Sequence, residues 1–513
     1  MAGSQPTYAA TAVGAPAIDA PPRAGKAGVV GWLLYEWSAQ PFYSLITTFL
    51  FGPFIANSFF ADPARGQEVW GYAAAAAGLA VALLSPVLGA FADASGHRKP
   101  WIVASLILFM AGMSTLWLAD PSQPGRLLIV LGAYVVAFVA AEVTAAFVNA
   151  LMPGLVRPDQ YGRMSGTSAA IGYLGGLTAL VLVSGVLVGS AQTGKTMFNW
   201  TPLLTLDAAT HQGDRLVGPF CALWLLLFSL PMLLLTPDRQ AAHAEGSGLD
   251  GLRRTFSELG RHKHIILFLV ARMLFTDGLL AMFTFGGIYG KALFGWDTIE
   301  LGEFGIILIV AAMIGAAIGG WLDDRIGPKP VILIALVIAM AAAAGVISID
   351  RTHVLFTQVV PEKVPGSGFL TSIAERWFLG VTIFVGLVTG PLSASSRSLM
   401  ARLAPPDRVT QFFGLFAFSG RAAAFAAPLL VSVVTRETGE QRWGLAVVLA
   451  FLLAGLVMMP FVRSRREEVA VMAESNGRGG RGEAPARDVL GSVIVGILFL
   501  AALGIIAQSF LGR

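Results

Sequence analysis

Charge is scarce in this chain. Only 13% of its 513 residues are Asp, Glu, Lys or Arg, against 55% hydrophobic, and the mean hydropathy is +0.71. A soluble protein of this length needs far more charge to cover its surface. Cysteine is nearly absent as well. Cys221 stands alone, which excludes an internal disulfide. The cysteine and the six histidines show no metal-ligand spacing, so neither a metal site nor another cofactor is expected. No zinc-protease motif, no Gly-x-Ser-x-Gly elbow and no paired acid/base motif is present, which argues against an enzyme. The net charge of +4 has no nucleic-acid motif beside it.

Long apolar runs fill the space that charge leaves. Runs of about 20 residues recur, each long enough to cross a ~30 Å hydrocarbon core. The first half offers 31–59, 70–91, 101–118, 127–151, 165–188 and 218–235. The second half offers 265–289, 301–322, 331–349, 378–399, 412–434 and 443–462, and 490–511 is a further run as apolar as these. The expected fold class is therefore an all-α polytopic membrane protein in the lipid bilayer, with two pseudo-symmetric six-helix halves plus an extra C-terminal helix. The expected divisions are a disordered Ala/Pro-rich tail (1–28), a first half (29–236), a linker (237–264), a second half (265–463), a basic tail (464–489) and a thirteenth helix (490–511). In the linker Leu249, Leu252, Phe256 and Leu259 recur at helical spacing; this reads either as a surface amphipathic helix or as a plain linker with one helical turn.

Basic residues alternate between loops. Arg98/Lys99, Arg157/Arg163, Arg239 to Lys263, Arg325/Lys329, Arg402/Arg408 and Arg463 to Arg466 fall on one side, and about half as many fall on the other. The richer side is expected to be cytoplasmic, with the N-terminus.

One loop motif occurs twice. Gly89-Ala-Phe-Ala-Asp93-Ala-Ser-Gly96-His-Arg98-Lys99 returns as Gly320-Trp-Leu-Asp-Asp324-Arg-Ile-Gly327-Pro-Lys329. A second correspondence aligns Leu151-Met152, Pro158-Asp159, Gly166 and Gly172 with Leu399-Met400, Pro406-Asp407, Gly414 and Gly420. Two halves that insert in the same orientation are related by an axis along the membrane normal. In the motif Gly89 and Gly96 suit close packing and a tight turn. Asp93 is placed to meet a cation or the positive start of a helix in the other half, and Arg98 and Lys99 to anchor to headgroups. The motif is expected to act as a gate.

With these features the chain resembles the major facilitator superfamily over about 31–463. Within it the chain looks like bacterial relatives of the yeast vacuolar amino-acid effluxer. Tyr35-Glu-Trp-Ser-Ala, Asn149-Ala-Leu-Met-Pro153, Arg272-Met-Leu-Phe-Thr-Asp277-Gly, Ser396-Arg397-Ser-Leu and Phe412-Phe-Gly-Leu-Phe-Ala-Phe-Ser-Gly420-Arg421 carry it. At Ser38–Gln40 the chain departs from the family's usual acidic-aromatic-Ala-Asn-Ser. The resemblance implies a central cavity lined by the first, fourth, seventh and tenth helices, with halves that rock around it.

A charge inside a spanning helix costs at least ~2.5–3.5 kcal/mol on insertion scales. The six candidates are Glu36, Glu142, Arg272, Asp277, Arg397 and Arg421. Glu36 and Asp277 align when the first helices of the halves are superposed, which sets them facing across the pseudo-axis. A carboxylate in an apolar cavity can exchange a proton near neutral pH, and structural ion pairing is the alternative for each. Arg397 suits a solute carboxylate or a helix-end position that snorkels or braces the gate. Arg421 suits a salt bridge between halves, with Glu142 or Asp277. Glu142 faces the cavity or a neighbouring helix. Arg272 and Asp277, five apart, do not share a helical face. Tyr35, Trp37, Phe42, Tyr43, Phe283, Phe285 and Tyr289 would form a solute wall, or pack in the core.

Gly189 to Thr196 matches the P-loop letter by letter but lacks the strand before it, so no ATP site is expected. The expected activity is secondary active transport of a small polar organic solute, an amino acid foremost, with protons. A drug or metabolite exporter is the rival within transport, and a membrane sensor or scaffold the rival outside it. The expected location is a bacterial inner membrane. Residues 490–511 would meet a protein partner or a second copy.

Overall fold

Backbone polar groups in hydrocarbon must be satisfied within their own segment, which selects helices. The computed structural model describes residues 24–60, 63–189, 194–207, 210–238, 253, 263–296, 298–364, 369–405, 407–421 and 426–463. These residues are almost wholly helical, apart from a small hairpin of β1 (His353–Val354) on β2 (Gln358–Val359).

Among the described residues ten helices are long and apolar enough to cross a membrane. In the first half they are α3 (Pro63–Ser95), α4 (Lys99–Thr115), α5 (Leu127–Leu155), α6 (Tyr161–Leu182) and α7 (Gln212–Leu235). In the second they are α8 (Lys263–Phe294), α9 (Thr298–Ile326), α10 (Pro328–Ile347), α11 (Ile373–Leu403) and α14 (Gln441–Met458).

The two remaining expected spans are broken, which corrects the reading of 31–59 and 412–434 as continuous. The first consists of α1 (Lys26–Pro41), a π-helical stretch (Phe42–Phe49) and α2 (Phe51–Ser58). Pro41 has no N–H to continue the ladder, and the hydroxyls of Thr47 and Thr48 both donate to the Tyr43 carbonyl. The eleventh consists of α12 (Val409–Ser419) and α13 (Ala426–Thr438). The Gly420 N–H closes α12 on the carbonyls of Phe416 and Ala417. Breaks of this kind in transporter helices leave backbone groups free to line a binding region.

The halves meet through a swapped arrangement: α6 packs on α9, and α3 on α12. Glycines set the distance. A Cβ on Gly89 would lie 2.8 Å from the Thr410 carbonyl oxygen, and one on Gly320 2.6 Å from that of Gly162. Gly414 abuts the Ser85 carbonyl as Gly166 abuts that of Ala316. Thr410 and Gly162, Gly414 and Gly166, and Ser85 and Ala316 are equivalent positions in the repeat. Gly96 (φ +75°) and Gly327 (φ +88°) turn the two motif hairpins in a region that side chains disfavour.

The 490–511 segment, the basic tail 464–489 and nearly all of the amphipathic stretch in the linker lie outside the described residues. So does part of the P-loop-like stretch, whose described beginning follows a π-helical segment and not a strand.

Candidate transport site and gate

The two copies of the loop motif bring helix ends together on the side of the basic loops. The Asp93 carboxylate accepts the backbone N–H groups of Thr410 (3.2 Å) and Gln411 (2.8 Å), at the start of α12 in the opposite half. This is the contact expected of an acid at a helix N-terminus. Arg98 completes it: Nη2 lies 3.4 Å from Asp93, and Nε donates to the Thr410 hydroxyl at 2.7 Å.

For Arg98 the expectation of headgroup anchoring is corrected, because its side chain is enclosed beside Asp93 and Thr410. Arg98 is buried, and Lys99 Nζ donates to the Leu233 carbonyl at the end of α7. Lys329 repeats the role, donating to the carbonyls of Pro460 and Val462 after α14. Terminal helix carbonyls are unsatisfied and carry partial negative charge, so a nearby lysine serves them better than water at the interface. Asp238 caps the other end of this joint by accepting the N–H groups of Arg98 and Lys99.

The second copy of the motif differs in chemistry. Asp324 lies 3.5 Å from Arg163 at the start of α6, again across the halves. The deeper acid is its neighbour Asp323, which accepts from Ser398 (3.2 Å) and Arg402 (3.1 Å) on α11. Asp323 also abuts Gly162. The sequence comparison singled out Asp324 by register and passed over Asp323. The doubled acid was the available signal.

We expect Asp93→Asn to loosen this face. An amide cannot accept two N–H groups and pair Arg98 as a carboxylate does, a loss of about 2 kcal/mol, roughly a 30-fold shift toward the open face. Labelling of a cysteine introduced at Ser396, buried on α11 next in sequence to Arg397, which reaches across the halves, reads the shift. Native Cys221 is buried and should not compete. Unchanged labelling would remove Asp93 from the gate.

Toward the membrane centre, two ion pairs bridge the halves. Glu36 on α1 meets Arg397 on α11 at 2.8 Å, and Arg397 also donates to Ser168 on α6. Glu142 on α5 meets Arg421, just after α12, at 2.5 Å. The Tyr43 hydroxyl donates to the same Glu142 oxygen, and Arg421 lies over the Phe138 ring. Side chains remain 10% (Arg397), 17% (Glu36), 13% (Glu142) and 30% (Arg421) exposed, so neither pair is fully enclosed. Arg397 is therefore neither a snorkelling residue nor a free cation. Glu36 faces Arg397 and not Asp277, so equivalence in the repeat does not carry over to surroundings.

Asp277 on α8 is 1% exposed, and its Oδ2 has no hydrogen-bond partner. Arg272 points to the end of α12: Nη1 donates to the Phe416 carbonyl (2.7 Å) and the Ser419 hydroxyl (2.8 Å), and the guanidinium stacks on the Phe416 ring. Of the expected aromatic wall, Phe42 and Trp37 pack in the core against Phe109, Phe138 and Trp224. Phe285 and Tyr289 line a cavity of about 290 Å³ between α8, α13 and α14, which none of the six charged residues borders. Among the described residues no cluster of three or more His, Cys, Asp or Glu has the geometry of a metal site.

Comparison with known proteins fits this arrangement. Residues 69–471 match the family described as "Vacuole effluxer Atg22 like". An uncharacterised MFS-type transporter of Bacillus subtilis, YxiO, is 23% identical over 444 residues, 84% of this chain and 94% of that relative. Autophagy-related protein 22 of Cryptococcus neoformans is 25% identical over 322 residues, and the match spans 60% of this chain but only 54% of the fungal protein. Among solved structures, the transporter FucP in its outward conformation superposes with TM-score 0.62 at 14% identity, covering 85% of this chain and 98% of that one. The proton:xylose symporter XylE does so with TM-score 0.61 at 13% identity, covering 87% and 97%. The chain belongs to the Atg22-like family and is an integral membrane transporter of the major facilitator superfamily.

Proposed function

We propose that this protein is a proton-coupled secondary active transporter that moves a small amino acid by alternating access. Asp277 carries the proposal. An ionised carboxylate buried among apolar helices with an unpartnered oxygen is costly, whereas its protonated form is neutral. Loading and unloading of one proton there changes the energy of moving the site between two faces.

The paired charges support the solute class. When the halves part on one side, Glu36 and Glu142 stay with the first half and Arg397 and Arg421 with the second. An opened Glu/Arg pair offers an acceptor for an ammonium and a bidentate donor for a carboxylate, the two groups of an amino acid. The resemblance to vacuolar amino-acid effluxers points the same way. On this reading the tied face is cytoplasmic, the state is outward-facing, and the membrane is a bacterial plasma membrane with the N-terminus inside.

Uptake of a labelled amino-acid panel into proteoliposomes, with and without an imposed pH gradient, tests the proposal. Wild type should accumulate its solute only with the gradient. Asp277→Asn, which mimics the protonated acid, should lose accumulation by roughly 100-fold yet keep solute exchange across the membrane without a gradient. Gradient-driven accumulation by Asp277→Asn would overturn the coupling role, and an inserted, folded protein that moves no amino acid would overturn the solute class.

A further inference from the structure

We infer that the cargo carries one net negative charge and crosses with one proton, so that the loaded centre is electrically neutral. This rests on the proton-coupled amino-acid reading and narrows it to solutes with one more carboxylate than ammonium, the acidic amino acids.

The argument is one of charge balance. Away from the helix ends the spans hold three guanidiniums and three carboxyls. Two of each cancel as Glu36–Arg397 and Glu142–Arg421. Arg272 and Asp277 remain on α8. Among the described residues Arg272 has no ion pair: its partners are a carbonyl, a hydroxyl and an aromatic ring. The carbonyl end of α12 supplies only part of a negative charge. Of the elements packed on α8, α11 brings Arg397 away from its ends, which Glu36 already holds; α12 brings no charge, and Arg421 just after it is held by Glu142; the charges of α9 and α10 (Glu300, Glu303, Asp323, Asp324, Arg325 and Lys329) lie at the helix ends. Those of α13 and α14 lie at the far ends from the break, at Arg436, Glu437 and Arg442.

With Asp277 ionised, Arg272 and Asp277 sum to zero. With Asp277 protonated, the centre carries one uncompensated positive charge, and such a charge in a low-dielectric region calls for a counter-charge. Arg272 can hold that counter-charge. Only Nη1 is engaged by the hydrogen bonds, and a guanidinium has five N–H donors. Gly420 leaves its flank clear, since a Cβ there would lie 3.1 Å from Nη1 and 3.3 Å from Nη2. Proton and extra carboxylate thus bind most favourably together.

The test uses the full chain in proteoliposomes with a trapped pH-sensitive dye and a potential set by potassium and valinomycin. The probes are glutamate, aspartate, glutamine, leucine and lactate. Glutamate or aspartate should carry protons inward at the same rate with and without a potential. A transported net charge would instead be biased roughly 50-fold by about 100 mV. Arg272→Gln should lose proton-coupled uptake of the acidic amino acids. Protons carried with glutamine or leucine, faster with an inside-negative potential, would overturn the inference and leave the amino-acid reading standing. Electroneutral proton uptake with lactate alone, which has one carboxylate and no ammonium, would support the inference and overturn the amino-acid reading. No proton movement with any probe overturns both, and wild-type glutamate uptake by Arg272→Gln overturns the role of Arg272.

Discussion

Arg397→Ala is expected to abolish transport and to cost about 3 kcal/mol of stability, because it leaves Glu36 ionised and nearly enclosed with no counter-charge. Removing one member of an enclosed pair costs more than removing both, so Arg397→Ala combined with Glu36→Gln should recover most of the lost stability. Thermal unfolding in detergent across the wild type, both single variants and the double variant gives the coupling directly. Strictly additive losses would mean that the 2.8 Å contact carries no energy of its own. Transport should stay absent in the double variant even where stability returns, since the Ser168 hydroxyl and any solute carboxylate also lose their donor.

The second large effect lies at the crossing of α6 and α9. A side chain at Gly166 would enter the space of the Ala316 carbonyl and lie 2.6 Å from the Gly320 Cα. Backbone on both sides leaves nothing flexible to yield. Gly166→Val should therefore wedge this face apart while the protein still inserts. Overpacking of this kind costs about 1–3 kcal/mol, which moves a two-state equilibrium by roughly 5- to 150-fold. The expected outcome is loss of transport with strong labelling of the Ser396→Cys reporter. Gly132→Val is the control, because a Cβ on Gly132 meets nothing within 4 Å. Equal effects at the two positions would mean that helix propensity and not the crossing is responsible.

These effects show where sequence reading succeeds in this chain. Span positions follow from apolar run length, and the doubled motif offers Asp93 a cation or a helix start in the other half, of which the structure supplies both, Arg98 and the start of α12. The cost of an unpaired charge in a span calls for a bridge from Arg421 to Glu142 or Asp277, and packing selects Glu142. The break at Phe42–Phe49 was not legible, because that stretch is as apolar as an unbroken helix and hydropathy does not register backbone geometry, whereas Ser419-Gly420 carried a turn signal that the long apolar run around it outweighed. The partner of Glu36 was missed for a related reason. Internal repetition relates Glu36 to Asp277 by ancestry of position, while proximity depends on how the halves lean together. Asp323 was hidden by register: the aligned acid is Asp324, and only packing against α11 shows which of two adjacent carboxylates is enclosed.

The swapped contacts between halves have a consequence for assembly. Asp93 reaches Thr410 and Gln411, and Asp324 reaches Arg163, at corresponding places in the repeat. An interface that uses the same patch twice is isologous in kind, as in a two-fold symmetric dimer. Each half holds both the acidic hairpin and the helix start that receives one. The surface is self-complementary, and the covalent link through the linker raises the local concentration of two partners whose recognition is already encoded within either one.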